Sequence, residues 1–236
     1  MYGVEKVWRQ LLRQGVRVGR DRVARLMHSL DLAGVVRGKR KRTTVPADVS
    51  ERPRDLVKRN FNPPAPNRLW VGDITYVWAI TGFVYVAFII DAFSRYIVGW
   101  RVAASLAAEL TLDALEMAIW RRRREGLEGL VHHSDRGVQY LAIRYSERLA
   151  EAGIMASVGS RGDSYDNALA ETVNGLFKAE VIHRAGSWRS LEQVELATAA
   201  WVDWWNTRRL HSADQHLPPA EYEAQYYRNR AGPAAA

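Results

Sequence analysis

At 236 residues, 47% of them hydrophobic and nine of them Trp, the chain has material for a buried core and lacks the composition of a disordered polymer. The absence of Cys excludes disulfides, thiolate metal sites and cysteine nucleophiles, no apolar run reaches the ~18 residues of a membrane span, and the first residues lack a signal peptide's apolar stretch, so the cytoplasm is the expected compartment. The net charge of +8 sits in the first quarter, where residues 1–60 hold 16 Lys+Arg against 6 Asp+Glu while residues 61–236 hold 18 against 20; a polyanion is the partner that such a field attracts, by releasing counterions at each phosphate it neutralises.

Val4, Val7, Trp8, Leu11 and Leu12 repeat at helical spacing, and Gly15 ends the pattern. Val23, Leu26, Met27 and Leu30 repeat it, interleaved with Arg20, Arg22 and Arg25, so two short helices are expected, the second basic enough to enter a DNA groove. Arg37, Lys39, Arg40, Lys41 and Arg42 form a cationic run placed to touch phosphates. The next stretch holds Pro46, Pro53, Pro63, Pro64 and Pro66 and reads as an extended linker. The division expected is a basic helical segment over 1–42, a linker over 43–66, a core over 67–185, and a carboxyl-terminal helix and tail over 186–236.

From Leu69 the character changes. Leu69–Trp78, Phe83–Ile90 and Tyr96–Val102 are rich in β-branched and aromatic residues and predict an antiparallel meander whose second strand is buried on both faces. Ala108–Arg124 follows at helical spacing, then a strand over 129–133, a helix over 142–152 and a strand over 154–158. Asp163 or Ser164 can cap a helix running through Glu171 to about Ile182, and Leu191–Thr207 reads as a last, Trp-rich helix. The order describes an α/β fold, a ribonuclease H-like mixed five-stranded sheet flanked by helices, preceded by the small basic helical segment.

Three carboxylates stand out on that layout. Asp73 lies within the first strand, Asp135 at the end of the fourth, and Glu171 on the helix after the fifth, all deliverable to one edge. Singly, each has an ordinary reading: an edge-strand charge, a turn residue, a helix-surface acid. Together they form a donor set of hard oxygens able to hold two divalent cations about 3.5–4 Å apart, the arrangement that drives in-line attack on a phosphodiester. On the Glu171 helix, Leu169, Val173, Leu176 and Phe177 make the apolar stripe, while Asn167, Glu171, Asn174 and Lys178 make a polar stripe that borders it, with Asn167, Asn174 and Lys178 available to DNA. His132-His133-Ser134-Asp135 cannot act as a hydrolase triad, because adjacent strand residues face opposite ways. The six His show no zinc-ligand spacing, Asp91 reads as a strand end, and Asp163 and Asp166 read as helix-start acids.

Five segments resemble the second-frame (OrfB-type) transposases of bacterial insertion sequences, whose core is similar to retroviral integrase: Asn67-Arg68-Leu69-Trp70-Val71-Gly72-Asp73-Ile74-Thr75-Tyr76-Val77, Asp91-Ala92-Phe93-Ser94-Arg95, His132-His133-Ser134-Asp135-Arg136-Gly137-Val138-Gln139-Tyr140, the run from Gly162 to Glu171, and the run from Trp204 to Ser212. The resemblance implies a DDE triad of Asp73, Asp135 and Glu171 binding two Mg²⁺ or Mn²⁺ ions, with Lys178 at the basic position after the Glu. It implies as partners the DNA of element ends and target, a further copy of the chain when bound to DNA, and an upstream-frame helix-turn-helix protein; the compartment becomes a prokaryotic cytoplasm, at the nucleoid when bound. The chain opens inside the family's helix-turn-helix region, so upstream helices are expected to be missing. Gly72 stands where the family often has Ala.

Overall fold

The computed structural model describes residues 2–35, 55–57, 60–135, 140, 142–158 and 168–231. Helix α1 (Val4–Arg13) and helix α2 (Arg20–Ser29) form the expected pair, with Gly15 at φ +80° in the turn and the Trp8 Nε1 donating to the Val18 carbonyl at 2.8 Å across it. Val23 and Met27, one turn apart, are the buried positions of α2.

Strands β1 (Leu69–Ala79), β2 (Gly82–Asp91) and β3 (Ile97–Ala103) make the antiparallel meander, with Asp73 opposite Phe88 and a register irregularity at Ile89/Ile90. Helix α3 (Ala108–Arg122) returns the chain to β4 (Val131–Ser134), and helix α4 (Ile143–Glu151) leads to β5 (Met155–Val158). Both β4 and β5 are parallel to β1, which gives the sheet order β3-β2-β1-β4-β5. The sheet is mixed and five-stranded, as the order of elements predicts.

Each face of the sheet buries a separate core. On one, Trp70, Ile89 and Val98 pack beneath α3 and α4 through Leu110, Leu115, Tyr145 and Leu149. Contact there is close enough that a Cβ at Gly99 would collide with the Ala114 carbonyl oxygen of α3. On the other, Val71, Val77 and Phe88 pack beneath helix α5 (Ala168–Phe177) and helix α7 (Leu191–Thr207). An aromatic chain crosses this core, with ring centroids 5.3 Å apart for Phe88–Phe177, 5.2 Å for Phe177–Trp201 and 4.8 Å for Trp201–Trp205. Between α5 and α7 the helix widens into a π-turn at Lys178–Ile182 and closes with a short α6 (His183–Ala185). The expected capping residues Asp163 and Ser164 lie outside the described residues.

Two parts depart from expectation. A further helix, α8 (Pro219–Ala231), follows where only a tail is expected. Its anchor is polar: the buried Glu223 takes both Nη atoms of buried Arg122 on α3, at 2.7 and 2.8 Å, and the Ser94 hydroxyl. The described end of the Pro-containing stretch is packed instead of extended into solvent. Val57 joins the α5/α7 core, the Leu56 amide donates to Ser157 Oγ at 2.9 Å, and Phe61 stands edge-on to His133. The α1–α2 pair also docks on the carboxyl-terminal elements: the Tyr2 hydroxyl donates to the Arg208 carbonyl and accepts from the Leu210 amide, and Arg13 grips Glu221 through both carboxylate oxygens at 2.6 and 2.8 Å.

Candidate active site

The parallel register of β1 and β4 ends with Gly72 opposite Ser134. The next residue along each chain is a carboxylate, so Asp73, still within β1, and Asp135, just past the end of β4, stand side by side. Helix α5 crosses above β1 and brings Glu171 in its first turn and Asn174 one turn later. Asn174 Nδ2 donates to Asp73 Oδ2 at 2.9 Å, and the Ile74 amide donates to Asp73 Oδ1 at 2.8 Å, so both oxygens of Asp73 are oriented. The Asp73 side chain keeps only a partial opening to solvent. Burial, then the charge of Asp135 and after it that of Glu171, push its pKa up to about 8, against the weaker pull of the two hydrogen bonds. Both other carboxylates therefore act on Asp73 through space. A buried carboxyl whose proton affinity is raised by two neighbouring acids is what a bound cation would relieve.

Residues behind the carboxylates hold β1 and the end of β4 in place. Gly72 lies against the His132 ring, where a Cβ would stand 3.0 Å from Cε1 and 3.2 Å from Nε2. His132 Nε2 pairs with the Tyr145 hydroxyl at 3.0 Å, and burial holds the imidazole neutral, its pKa down to about 3. His133 points to the opposite face and pairs through Nδ1 with Ser157 Oγ at 2.9 Å. The two imidazoles diverge, in keeping with strand alternation. Among the described residues no group of three or more His, Asp or Glu stands close enough to hold a metal ion as it is. The chemistry of the donors nonetheless fits a hard divalent cation. All are oxygens, they repel one another, and Asn174 Oδ1 is a buried acceptor without a hydrogen-bond partner among the described residues, on the same side chain that orients Asp73.

The nucleic-acid residues expected from sequence fall into four groups. Lys178 follows α5 half-buried, its Nζ 4.5 Å from the centroid of the Tyr76 ring, and burial lowers its pKa while Asp73 raises it. Arg20, Arg22 and Arg25 are exposed on α2, Arg20 paired with Asp21 at 3.1 Å. Asn167 and the run Arg37, Lys39, Arg40, Lys41 and Arg42 lie outside the described residues. Asn174 corrects its assignment. It is buried and turned onto Asp73, because its place one turn from Glu171 lies where α5 crosses β1, so it serves a carboxylate and not a DNA surface. The sequence signal was the i, i+3 spacing from Glu171, which puts both side chains on one helical face. Asp91 ends β2, fully buried, accepting the Asn67 and Phe93 amides at 2.7 and 2.9 Å. Among the described residues no helix is long and apolar enough to cross a membrane.

Two family profiles described as "Integrase core domain" match residues 63–164 and 152–219, and one described as "HTH-like domain" matches residues 1–40. A protein of Mycobacterium tuberculosis assigned to insertion sequence element IS986/IS6110 is 57% identical over 238 residues, covering 100% of the present chain and 86% of that one. The transposase for insertion sequence element IS629 of Shigella sonnei is 57% identical over 227 residues, covering 96% of the present chain and 75% of its own length. Among solved structures, the catalytic core domain of HTLV-2 integrase in complex with magnesium superposes with a TM-score of 0.53 at 17% identity, over 68% of the present chain and 98% of that one, a likeness of fold.

Proposed function

The chain belongs to the insertion-sequence transposases with an integrase core domain, enzymes that cut and join DNA, and from that membership we propose that Asp73, Asp135 and Glu171 carry its strand cleavage and strand transfer. The observation that supports this most is the convergence of the three: Asp73 and Asp135 follow the paired Gly72 and Ser134, and the helix that carries Glu171 in its first turn lays Asn174 onto Asp73 at 2.9 Å. Two Mg²⁺ or Mn²⁺ ions held by these carboxylates would supply Lewis-acid polarisation of the scissile phosphate and an activated oxygen nucleophile, first water and then the freed 3′ hydroxyl. Asp73 within β1 and Asp135 past the end of the adjoining β4 provide shared oxygens, Glu171 closes the set from the helix above, and Asn174 keeps Asp73 aligned. Lys178 holds a phosphate of the strand being cut as a point charge. Arg20, Arg22 and Arg25 on α2, with the basic run from Arg37 to Arg42 and Asn167, bind element ends through the first 42 residues and the approach to α5. On this reading residues 43–66 join that segment to the core of 67–185, which residues 186–236 complete. Because two element ends must be joined to one target, the DNA-bound form contains at least two copies, with an upstream-frame helix-turn-helix protein as a further partner.

The test is Asp135→Asn in the full chain, incubated with labelled element ends and Mg²⁺. Cleavage and joining should both vanish while the gel shift of the same DNA persists. Undiminished cutting by this variant would refute the triad, shifted but uncut DNA with the unaltered protein would leave a DNA-binding remnant, and nicked but unjoined products would leave a nuclease.

A further inference from the structure

Past Gly72, β1 outruns β4, and among the described residues its edge on that side stays unpaired until Ala79 bridges to Trp188. Along this stretch Thr75, Val77 and Ala79 face inward, so strand alternation turns Tyr76, Trp78 and Ile80 outward. Trp78 is 65% exposed and Ile80 73%. Across the hairpin, Phe83 stands opposite Trp78 and Tyr85 opposite Tyr76. The rings are locked edge to face, 4.8 Å apart for Trp78–Phe83 and 5.5 Å for Tyr76–Phe83. A cavity of about 560 Å³ opens beside them, lined by Tyr76, Trp78, Ile80, Lys178, His183 and Trp188.

An apolar surface of this kind, left in water, marks a binding face. Its chemistry selects the occupant. The rings offer stacking area at little entropic cost, and Lys178 sets a cation in the wall of the same cavity. Alternating aromatic and cationic contacts match a polymer of alternating bases and phosphates, and a purely apolar peptide would leave Lys178 unanswered. Bases within a duplex are stacked on one another and offer no free face, so the polymer must be unpaired there. The groove reaches toward the carboxylates around the open edge of β1, for its lining takes in both Val77 and Trp78, from opposite sides of the strand. Lys178 in its wall feels the charge of Asp73, and Trp78 lies five residues along β1 from Asp73, roughly 17 Å at strand rise, on the other side of the strand.

We propose that this groove holds an unpaired stretch of the DNA strand leaving the carboxylate site, with a base stacked on Trp78, whose ring Phe83 braces edge-on, and a phosphate at Lys178. At about 3.4 Å per stacked nucleotide, that base lies about five nucleotides from the scissile phosphate. The inference rests on the reading of Asp73, Asp135 and Glu171 as the cutting site, and adds that the strand is opened beyond the cut.

The experiment measures binding of the full chain, without divalent ions, to a short labelled single strand and to the duplex of the same sequence, over a range of salt. Trp78→Ala should weaken single-strand binding about 5- to 150-fold, the worth of one stacked base, with the slope of log Kd against log salt unchanged and duplex affinity unaltered. Trp78→Phe should keep most of the affinity, and Lys178→Gln should lower the single-strand slope by about 0.7. Circular dichroism and melting curves confirm that the variants fold. Unchanged single-strand affinity in Trp78→Ala, or equal losses on single strand and duplex, overturns the proposal. So does a shift in oligomeric state without loss of single-strand binding, which would make the face an interface between copies. Because binding is read without metal, the two readings fail separately: intact cleavage with unchanged single-strand binding removes the groove alone, and absent cleavage removes the catalytic reading alone.

Discussion

Replacing Asn174 with Ala tests whether Asp73 is held ready for an ion or only shielded from water. The substitution removes the donor to Asp73 Oδ2 at 2.9 Å and leaves the helix intact, since Ala is the best helix former. A hydrogen bond to a charged, buried acceptor contributes about 1.5–3 kcal/mol. Its loss favours the protonated over the ionised carboxyl, on a group already pushed up to about 8. A divalent ion must displace that proton, so its half-saturating concentration should rise about 10- to 100-fold, the usual loss when a residue that orients a metal ligand is removed. The assay is cleavage of labelled element ends against Mg²⁺ concentration, with DNA binding measured in the absence of metal. The maximal rate should return largely at high Mg²⁺, with DNA affinity unchanged. Wild-type Mg²⁺ dependence in this variant would refute the reasoning, for Asp73 would then need no help from Asn174.

Three further outcomes follow from the packing and the buried charges. Gly99→Ala should cost about 1–3 kcal/mol or more, because the new Cβ meets a helix carbonyl that cannot rotate away, and a thermal melt should show a drop of several degrees. Burial and then Glu223 raise the Asp91 pKa to about 7, above its ordinary value of 3.8, so the folded state binds that proton more tightly than the unfolded one. The group's penalty is absent below about pH 4 and fully present above about pH 7, so stability relative to Asp91→Asn should fall across that window by at most about 1.4 kcal/mol per pH unit; urea titrations with no such trend would contradict the assignment. Arg122→Met, leaving Glu223 buried beside Asp91 with its main counter-charge gone, should cost about 3–5 kcal/mol, measurable as a lowered urea midpoint, and Arg122→Met with Glu223→Gln should recover part of it.

Strand and helix periodicity carries most of the architecture. The meander, the Trp-rich α7 and the positions of Asp73 and Asp135 at neighbouring strands are legible because alternation and helical stripes are local signals, and the outward turn of His133 from His132 follows from the same alternation. Helix α8 is not legible, because it docks through the buried pair Glu223–Arg122 with Tyr222 and Tyr226 against Phe93, partners far back along the chain, and no local pattern distinguishes a buried ion pair from an exposed one. Val57 escapes for a related reason, a single apolar residue in a polar, Pro-containing stretch whose partners lie far along the chain. Asn174 is the instructive case at the candidate site. Its helical face can be read from spacing, but what that face meets depends on how α5 crosses β1, a contact across 101 residues.

The clasp between the chain's two ends has a metric consequence. Tyr2 is tied to Arg208 and Leu210, and Arg13 to Glu221, so α1, and α2 packed on it, are fastened to the same body that carries Asp73 and Glu171. If, as proposed, the arginines of α2 settle on a duplex and the acids cut it, those acids are carried to a set offset from that contact. The clasp would then work as a ruler, converting recognition of a sequence into selection of a bond a fixed number of base pairs away, and loosening it would blur where the break falls before it weakened how tightly the DNA is held.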